Sequence, residues 1–206
     1  DLASGAVRNG VMRSQRLRLP VKYTVGDASK FILDGPFDLV VALHACGGLT
    51  DVALGLALRY KAGCLICPCC FASNSQLYVP LAKAMPVNEF LGIRASAFSI
   101  ITRLAEIQGD QSLSGAATHA LCALRSRAVE RFSSSKTSMS IESFPVSFST
   151  RNVCLVGRQL GDQGLVCVLP AGLNHARGHL GVVAKGDAAL FDVRAGDVDF
   201  DGVDVR

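Results

Sequence analysis

Charge is scarce in this sequence. Of 206 residues 18% are Asp, Glu, Lys or Arg, and 21 basic against 17 acidic side chains leave a net charge of +4. So small an excess does not by itself argue for a nucleic-acid partner, because phosphate binding rests on dense basic patches. Basic residues gather slightly at Arg13, Arg16, Arg18 and Lys22, and again at Arg125, Arg127 and Arg131. Either group reads as a solvated face or as a surface for RNA. Long apolar runs are missing as well. No stretch of about 18 continuous apolar residues occurs, so no transmembrane helix and no membrane partner are expected. No signal peptide is recognisable, and Asp1 stands where a Met would begin a chain, so we expect a fragment or processed product. Apolar content is plentiful. Half of the residues are hydrophobic, enough for one domain with a substantial core.

The chain is organised around Pro36 to Asp51, PFDLVVALHACGGLTD, an apolar run that ends in a polar turn with glycines. The lack of alternation from Leu39 to Leu43 marks a strand covered on both faces, as in parallel sheets flanked by helices. Ligands of open α/β sheets lie outside the carboxyl ends of the strands, and this end carries His44, Cys46, Gly47, Thr50 and Asp51. Gly47 and Gly48 allow a sharp turn or close approach of the backbone, and Thr50 or Asp51 can cap the helix that follows. A helix from Val52 to Ala62 has Val52, Leu56 and Tyr60 at helical spacing, with Gly63 as its stop. The second apolar run, CLICPCCF from Cys64 to Phe71, follows it, and a strand-helix-strand of this length is a parallel crossover.

Elsewhere the pattern predicts the end of a helix over residues 1–11 and a strand over 21–28, with a short helix from Ser29 to Leu33. Residues 72–88 read as a polar loop, a lid or a substrate-facing segment. Helices are predicted over 93–107 and 116–132, and Arg103 and Glu106 could form a structural pair. After a serine-rich connector over 133–140, strands are expected over 141–149 and 152–156, joined at Thr150-Arg151. Glycine rises from Gln159 onward, and 164–169, 180–184 and 188–193 could be short strands in a poorly ordered appendage.

The blocks FDLVVALHACGGLTD and CLICPCCF resemble the methyltransferase domain of glutathione S-transferase C-terminal domain-containing proteins, and more loosely methyltransferases that act on RNA. The resemblance runs from about Asp1 to Arg158. It implies an α/β fold: a Rossmann-like class I methyltransferase sheet that ends in an antiparallel hairpin. Residues 1–158 would be a partial methyltransferase domain and 159–206 a C-terminal extension. No Gly-x-Gly precedes Val21, so the sheet is expected to be truncated at its N-terminal side and to bind S-adenosylmethionine poorly. The resemblance places Asp27 and Ala28 at the adenine of that cofactor, and His44, Cys46 and Gly47 along its edge facing the methyl group. Thr50, Asp51, Cys69 and Cys70 would face the substrate, which is RNA or another macromolecular acceptor.

His44 is the natural base for an acceptor that must lose a proton, since an imidazole titrates near neutral pH. It could equally be a strand-end histidine bonded to backbone, and Asp27 could simply cap the turn at Ser29. The cysteines also admit several readings. Cys64, Cys67, Cys69 and Cys70, with Cys46 and His44 opposite, could hold a metal, present a reactive thiol, or pack as small apolar side chains. Packing is the expectation and no metal site is assigned, because side chains within a strand alternate in direction. Disulfides are not expected either, so a reducing, cytoplasmic setting is. Two functions stand open: a methyltransferase, or a methyltransferase-like domain kept as a binding scaffold.

Overall fold

Strand β1, Phe37–Ala45, is hydrogen-bonded along both of its edges, and its two faces differ: Val40 and Ala42 are fully buried, whereas Leu39, Val41 and Leu43 on the other face are half-buried. It lies in a computed structural model that describes residues 4–18, 21, 23, 27–30, 32, 37–133, 137–147, 149, 151–159 and 179–184. On one side β1 pairs in parallel with β2, Gly63–Pro68, through the crossover helix α1, Gly48–Tyr60. The register sets Leu39 beside Gly63 and Leu43 beside Cys67, so the two carboxyl ends adjoin.

An antiparallel hairpin extends the sheet beyond β2. Its strands are β3, Thr137–Ser143, and β4, Val153–Gln159, and β4 lies against β2. On the other edge of β1 lies β5, His179–Ala184, antiparallel. The sheet order is thus β3-β4-β2-β1-β5, and the fold is mixed α/β with a mixed sheet. The strands expected over 164–169 and 188–193 lie outside the described residues, as does half of the one expected over 21–28.

Helix α1 packs on β1 and β2 and buries Val52, Leu54 and Leu56. Each such side chain contributes about 1.5–3 kcal/mol by leaving water. Helix α2, Gln111–Phe132, lies across α1 and β3, and a further helix, Ala95–Ala105, packs on α2. Gly55 of α1 lets Val79 and Pro80 approach: a Cβ there would meet the Val79 side chain at 2.6 Å.

Several boundaries differ from the sequence reading. The first helix runs Ser4–Arg16, extending past its expected end because Gly10 makes room for the Tyr23 ring and basic residues complement its last turn. Among the described residues of the helix expected from Ser29 to Leu33, the structure has a 3-10 turn, Ala28–Lys30. Helix α1 starts four residues early, with Gly47 at its N-cap, and it ends on Lys61 in the left-handed conformation; Gly63 already belongs to β2. Helix α2 starts at Gln111 because the Asp110 carboxylate accepts from Leu113 N at 2.9 Å.

The segment 72–88 is only partly the loop expected. Residues 72–76 are exposed, but Tyr78–Val79 pairs with Met85–Pro86, a short helix at Val87–Leu91 follows, and Val79 is fully buried. The serine-rich stretch forms most of β3, where Met139 and Ile141 pack against the core. Its hairpin closes where Phe144 N donates to Asn152 O, earlier than Thr150-Arg151.

Candidate active site

Where β1 ends, its pairing with β2 slips: Leu43 opposes Cys67 and Ala45 opposes Pro68, so His44 is left in a bulge. His44 has φ +53°, which few residues other than glycine adopt, and such backbone costs about 1–3 kcal/mol. A bulge re-aims a side chain at the rim of a sheet. Here the half-buried His44 lines a cleft with Leu43, Cys67, Pro68, Cys69, Phe144, Ser149 and Arg151.

The next turn is clasped to the loop after β2. Gly47 N donates to Cys70 O at 2.7 Å, Gly48 N to Ser73 O at 3.0 Å, and Asn74 Nδ2 to Cys46 O at 3.1 Å. Gly47 is needed on two counts. Its φ is +54°, and a Cβ would stand 1.6 Å from Ser73 O. The space beside Gly47 is therefore taken by the protein's own loop. That clasp, and not a closely bound ligand, accounts for the glycine.

The cysteines separate into two groups. Cys64 and Cys67 are both buried on β2 but on opposite faces, Cys64 in the core and Cys67 against the cleft, and burial pushes the Cys64 thiol up to about 12. Cys69 and Cys70 lie just beyond Pro68, the last residue of β2, and are freed from strand alternation. They meet Cys46 from the other strand end: Cys46 Sγ is 3.1 Å from Cys69 Sγ, and Cys69 Sγ is 3.8 Å from Cys70 Sγ. Cys46 also donates to His44 O at 3.3 Å, and Cys70 to Ser73 Oγ at 3.6 Å. Burial raises both the Cys46 and Cys69 thiols, and for Cys69 the bond to Cys46 adds to it. All seven cysteines among the described residues are free.

Thr50 and Asp51, expected to face substrate, are fully buried instead. Thr50 Oγ1 donates to Ala45 O at 2.7 Å, which ties the start of α1 to the end of β1. Asp51 receives a two-pronged bond from Arg125 of α2, Nε to Oδ1 at 2.9 Å and Nη2 to Oδ2 at 2.8 Å. Neither caps α1 through its side chain. Arg125 Nη2 also reaches Gly47 O at 3.3 Å, so the pair holds the turn from inside. Burial pushes the guanidinium down, but the adjacent Asp51 outweighs it and holds Arg125 above its ordinary value. Arg125 is thus neither a solvated nor an RNA-facing residue. Arg131 of the same basic group donates to Phe90 O and stacks on Phe132.

Asp27 occupies the 3-10 turn: its Oδ1 accepts from Ser29 Oγ at 2.7 Å and Ser29 N at 3.0 Å, and Oδ2 pairs with Lys30 at 3.3 Å. The Ser29 bonds hold its carboxyl below the usual range. Ala28 packs against the core. The structure places neither of them in the cleft beside His44.

Glu106 forms no ion pair with Arg103; its Oε1 accepts from Phe71 N at 2.7 Å and Ala72 N at 3.0 Å, which fixes the loop carrying Cys69 and Cys70. Ser149 and Arg151 of the cleft were not singled out in the sequence, and no local pattern marks them. Arg151 is held by Nη1 to Ala105 O at 3.1 Å and lies 6.0 Å from the Phe71 ring.

Residues 7–76 match a family model described as a methyltransferase domain. Two curated relatives, both glutathione S-transferase C-terminal domain-containing protein homologs, are similar over 70 residues. The one from Drosophila melanogaster is 37% identical and the one from Drosophila pseudoobscura pseudoobscura 34%; each match covers 31% of this chain and 12% of the relative. This chain therefore spans only a small part of the relatives' length. No solved structure matches. Among the described residues no helix is long and apolar enough to cross a membrane. Over residues 7–76, about a third of its length, the chain matches the methyltransferase domain family that its His44-to-Asp51 turn and cysteine-bearing strand end resemble.

Proposed function

We propose that this chain is part of an S-adenosylmethionine-dependent methyltransferase of the class I, Rossmann-like fold, acting on RNA or another macromolecular acceptor. The observation that carries the reading is the adjacency of the β1 and β2 carboxyl ends, inside the segment that matches the family. That edge is where open α/β sheets bind ligands. When bound, the cofactor supplies an electrophilic methyl on a sulfonium, which an acceptor takes by in-line displacement. The chain's own residues orient and deprotonate. His44, turned towards the cleft by the bulge, takes the proton of a hydroxyl or ring-nitrogen acceptor, and Cys46 lines the same edge. The cleft is small and partly apolar, lined by Leu43, Pro68 and Phe144 together with Arg151.

One observation favours the second reading, a scaffold without catalysis. In a doubly wound sheet of order 3-2-1-4-5-6 the fourth strand has the first, with its glycine turn, as a parallel neighbour. If β1 is that fourth strand, the antiparallel β5 holds the place. Calorimetry with S-adenosylmethionine, on this chain and on the longest native form of the protein, separates the two. Binding by the native form supports the enzyme; no binding by either sinks it and leaves the scaffold.

A further inference from the structure

We propose that Cys46, Cys69 and Cys70 form a three-thiolate site for one thiophilic ion of the zinc class. Their sulfurs lie within 4.8 Å of one another, contributed by two loops at adjacent strand ends. A tetrahedral zinc with Zn–S bonds of about 2.3 Å sets its sulfurs about 3.8 Å apart. Cys69 and Cys70 already stand at 3.8 Å, and Cys46 and Cys69, at 3.1 Å, need to open by less than about 1 Å. The objection from strand alternation does not apply, since both Cys69 and Cys70 follow the end of β2.

The site is also built. Three hydrogen bonds clasp the two loops and Glu106 anchors the second, so the ligand atoms are brought together without an ion. Such support around the ligands is what a metal site needs. The three thiols are half-buried, whereas Cys64, Cys67, Cys122 and Cys154 are buried. A set of three leaves a fourth position for water or for a ligand in the cleft that Cys69 shares with His44.

The proposal does not rest on methyl transfer, and its test reads metal uptake. The full chain, reduced and stripped of metal, is titrated with cobalt(II). One equivalent should bind with thiolate-to-cobalt charge-transfer bands, and zinc should displace it. Cys46→Ala, Cys69→Ala and Cys70→Ala should each lower the band by about a third and weaken zinc binding at least about 10-fold. Cys122→Ala should change neither. Because a variant can misfold, unaltered chain is also alkylated with and without one equivalent of zinc and mapped by mass spectrometry. Protection of Cys46, Cys69 and Cys70 together is expected. Equal alkylation in both conditions, a cobalt band that survives all three substitutions, or a Cys46–Cys69 disulfide in a chain that takes up no metal would each overturn the proposal.

Discussion

Replacing Arg125 with Met strands a carboxylate inside the protein. Asp51 and Arg125 are both fully buried and joined by two bonds at 2.8 and 2.9 Å, and Arg125 Nη1 has no hydrogen-bond partner among the described residues. Two terms oppose each other. Desolvating both ions costs several kcal/mol, which their attraction and the bond to Gly47 O offset, so the pair adds little net stability. Removing one partner is different, because the desolvation cost of the other remains. Arg125→Met should therefore cost about 3–5 kcal/mol, a large part of the 5–15 kcal/mol typical of a domain. For a chain of this size that is a fall in Tm of roughly 6–20 °C. Asp51→Leu should cost about as much. The double variant should be far less destabilised than the sum of the two, since it carries no stranded charge. Urea unfolding of the four proteins completes the cycle. Losses below about 1 kcal/mol for Arg125→Met, or strict additivity, would refute the argument.

Gly47→Ala should lower the unfolding free energy in urea by more than the about 1–3 kcal/mol of a positive-φ backbone penalty, because its Cβ would overlap Ser73 O; an unchanged stability speaks against the clasp. Glu106→Ala should cost about 1.5–3 kcal/mol and Glu106→Gln less, since the amide keeps an acceptor for Phe71 N and Ala72 N; equal losses would rule out the acceptor role. Asp27 has its carboxyl depressed in the folded state, so its contribution is present above about pH 3.8 and is lost as pH falls through the lower folded value. An NMR titration of the Ser29 amide should show a midpoint below 3.8; a midpoint at or above it would contradict the bonds from Ser29. The Cys64 thiol, pushed up to about 12 by burial, should resist alkylation at pH 8 until the chain is unfolded, and labelling of the native protein would count against its burial.

The strand-helix-strand unit was legible because the run 39–43 is apolar on both faces, one of which the structure buries fully at Val40 and Ala42 and the other only half at Leu39, Val41 and Leu43. The exact start of α1 was not. Glycine at an N-cap followed by Gly48 reads as loop, and only the contact with Ser73 and Asn74, more than 20 residues on, shows why helix begins there. Thr50 and Asp51 read as helix caps or substrate-facing residues because their burial depends on the fold: Arg125 is 74 residues from Asp51 and sits in a cluster that reads as a basic face. The cysteines were seen as one group. What divides them is the register of β1 on β2 and the position of Pro68, which puts Cys67 inside and Cys69 beyond the sheet. His44 was picked out from residue type, but the bulge that re-aims it exists only in the pairing.

Strand β5 bears on more than the architecture. It covers the edge of β1 from Phe37 to Leu43, a largely apolar stretch, with backbone groups that would otherwise be open. Its partner lies far away in sequence, so this ladder closes late and at a higher loop-closure cost than the neighbouring crossover. Until it closes, a row of unpaired amides and carbonyls on a Val-Val-Ala-Leu strand is a template for another molecule's strand. Coverage of that edge thus depends on a segment far along the chain, and shortening the chain before His179 trades a covered edge for a sticky one.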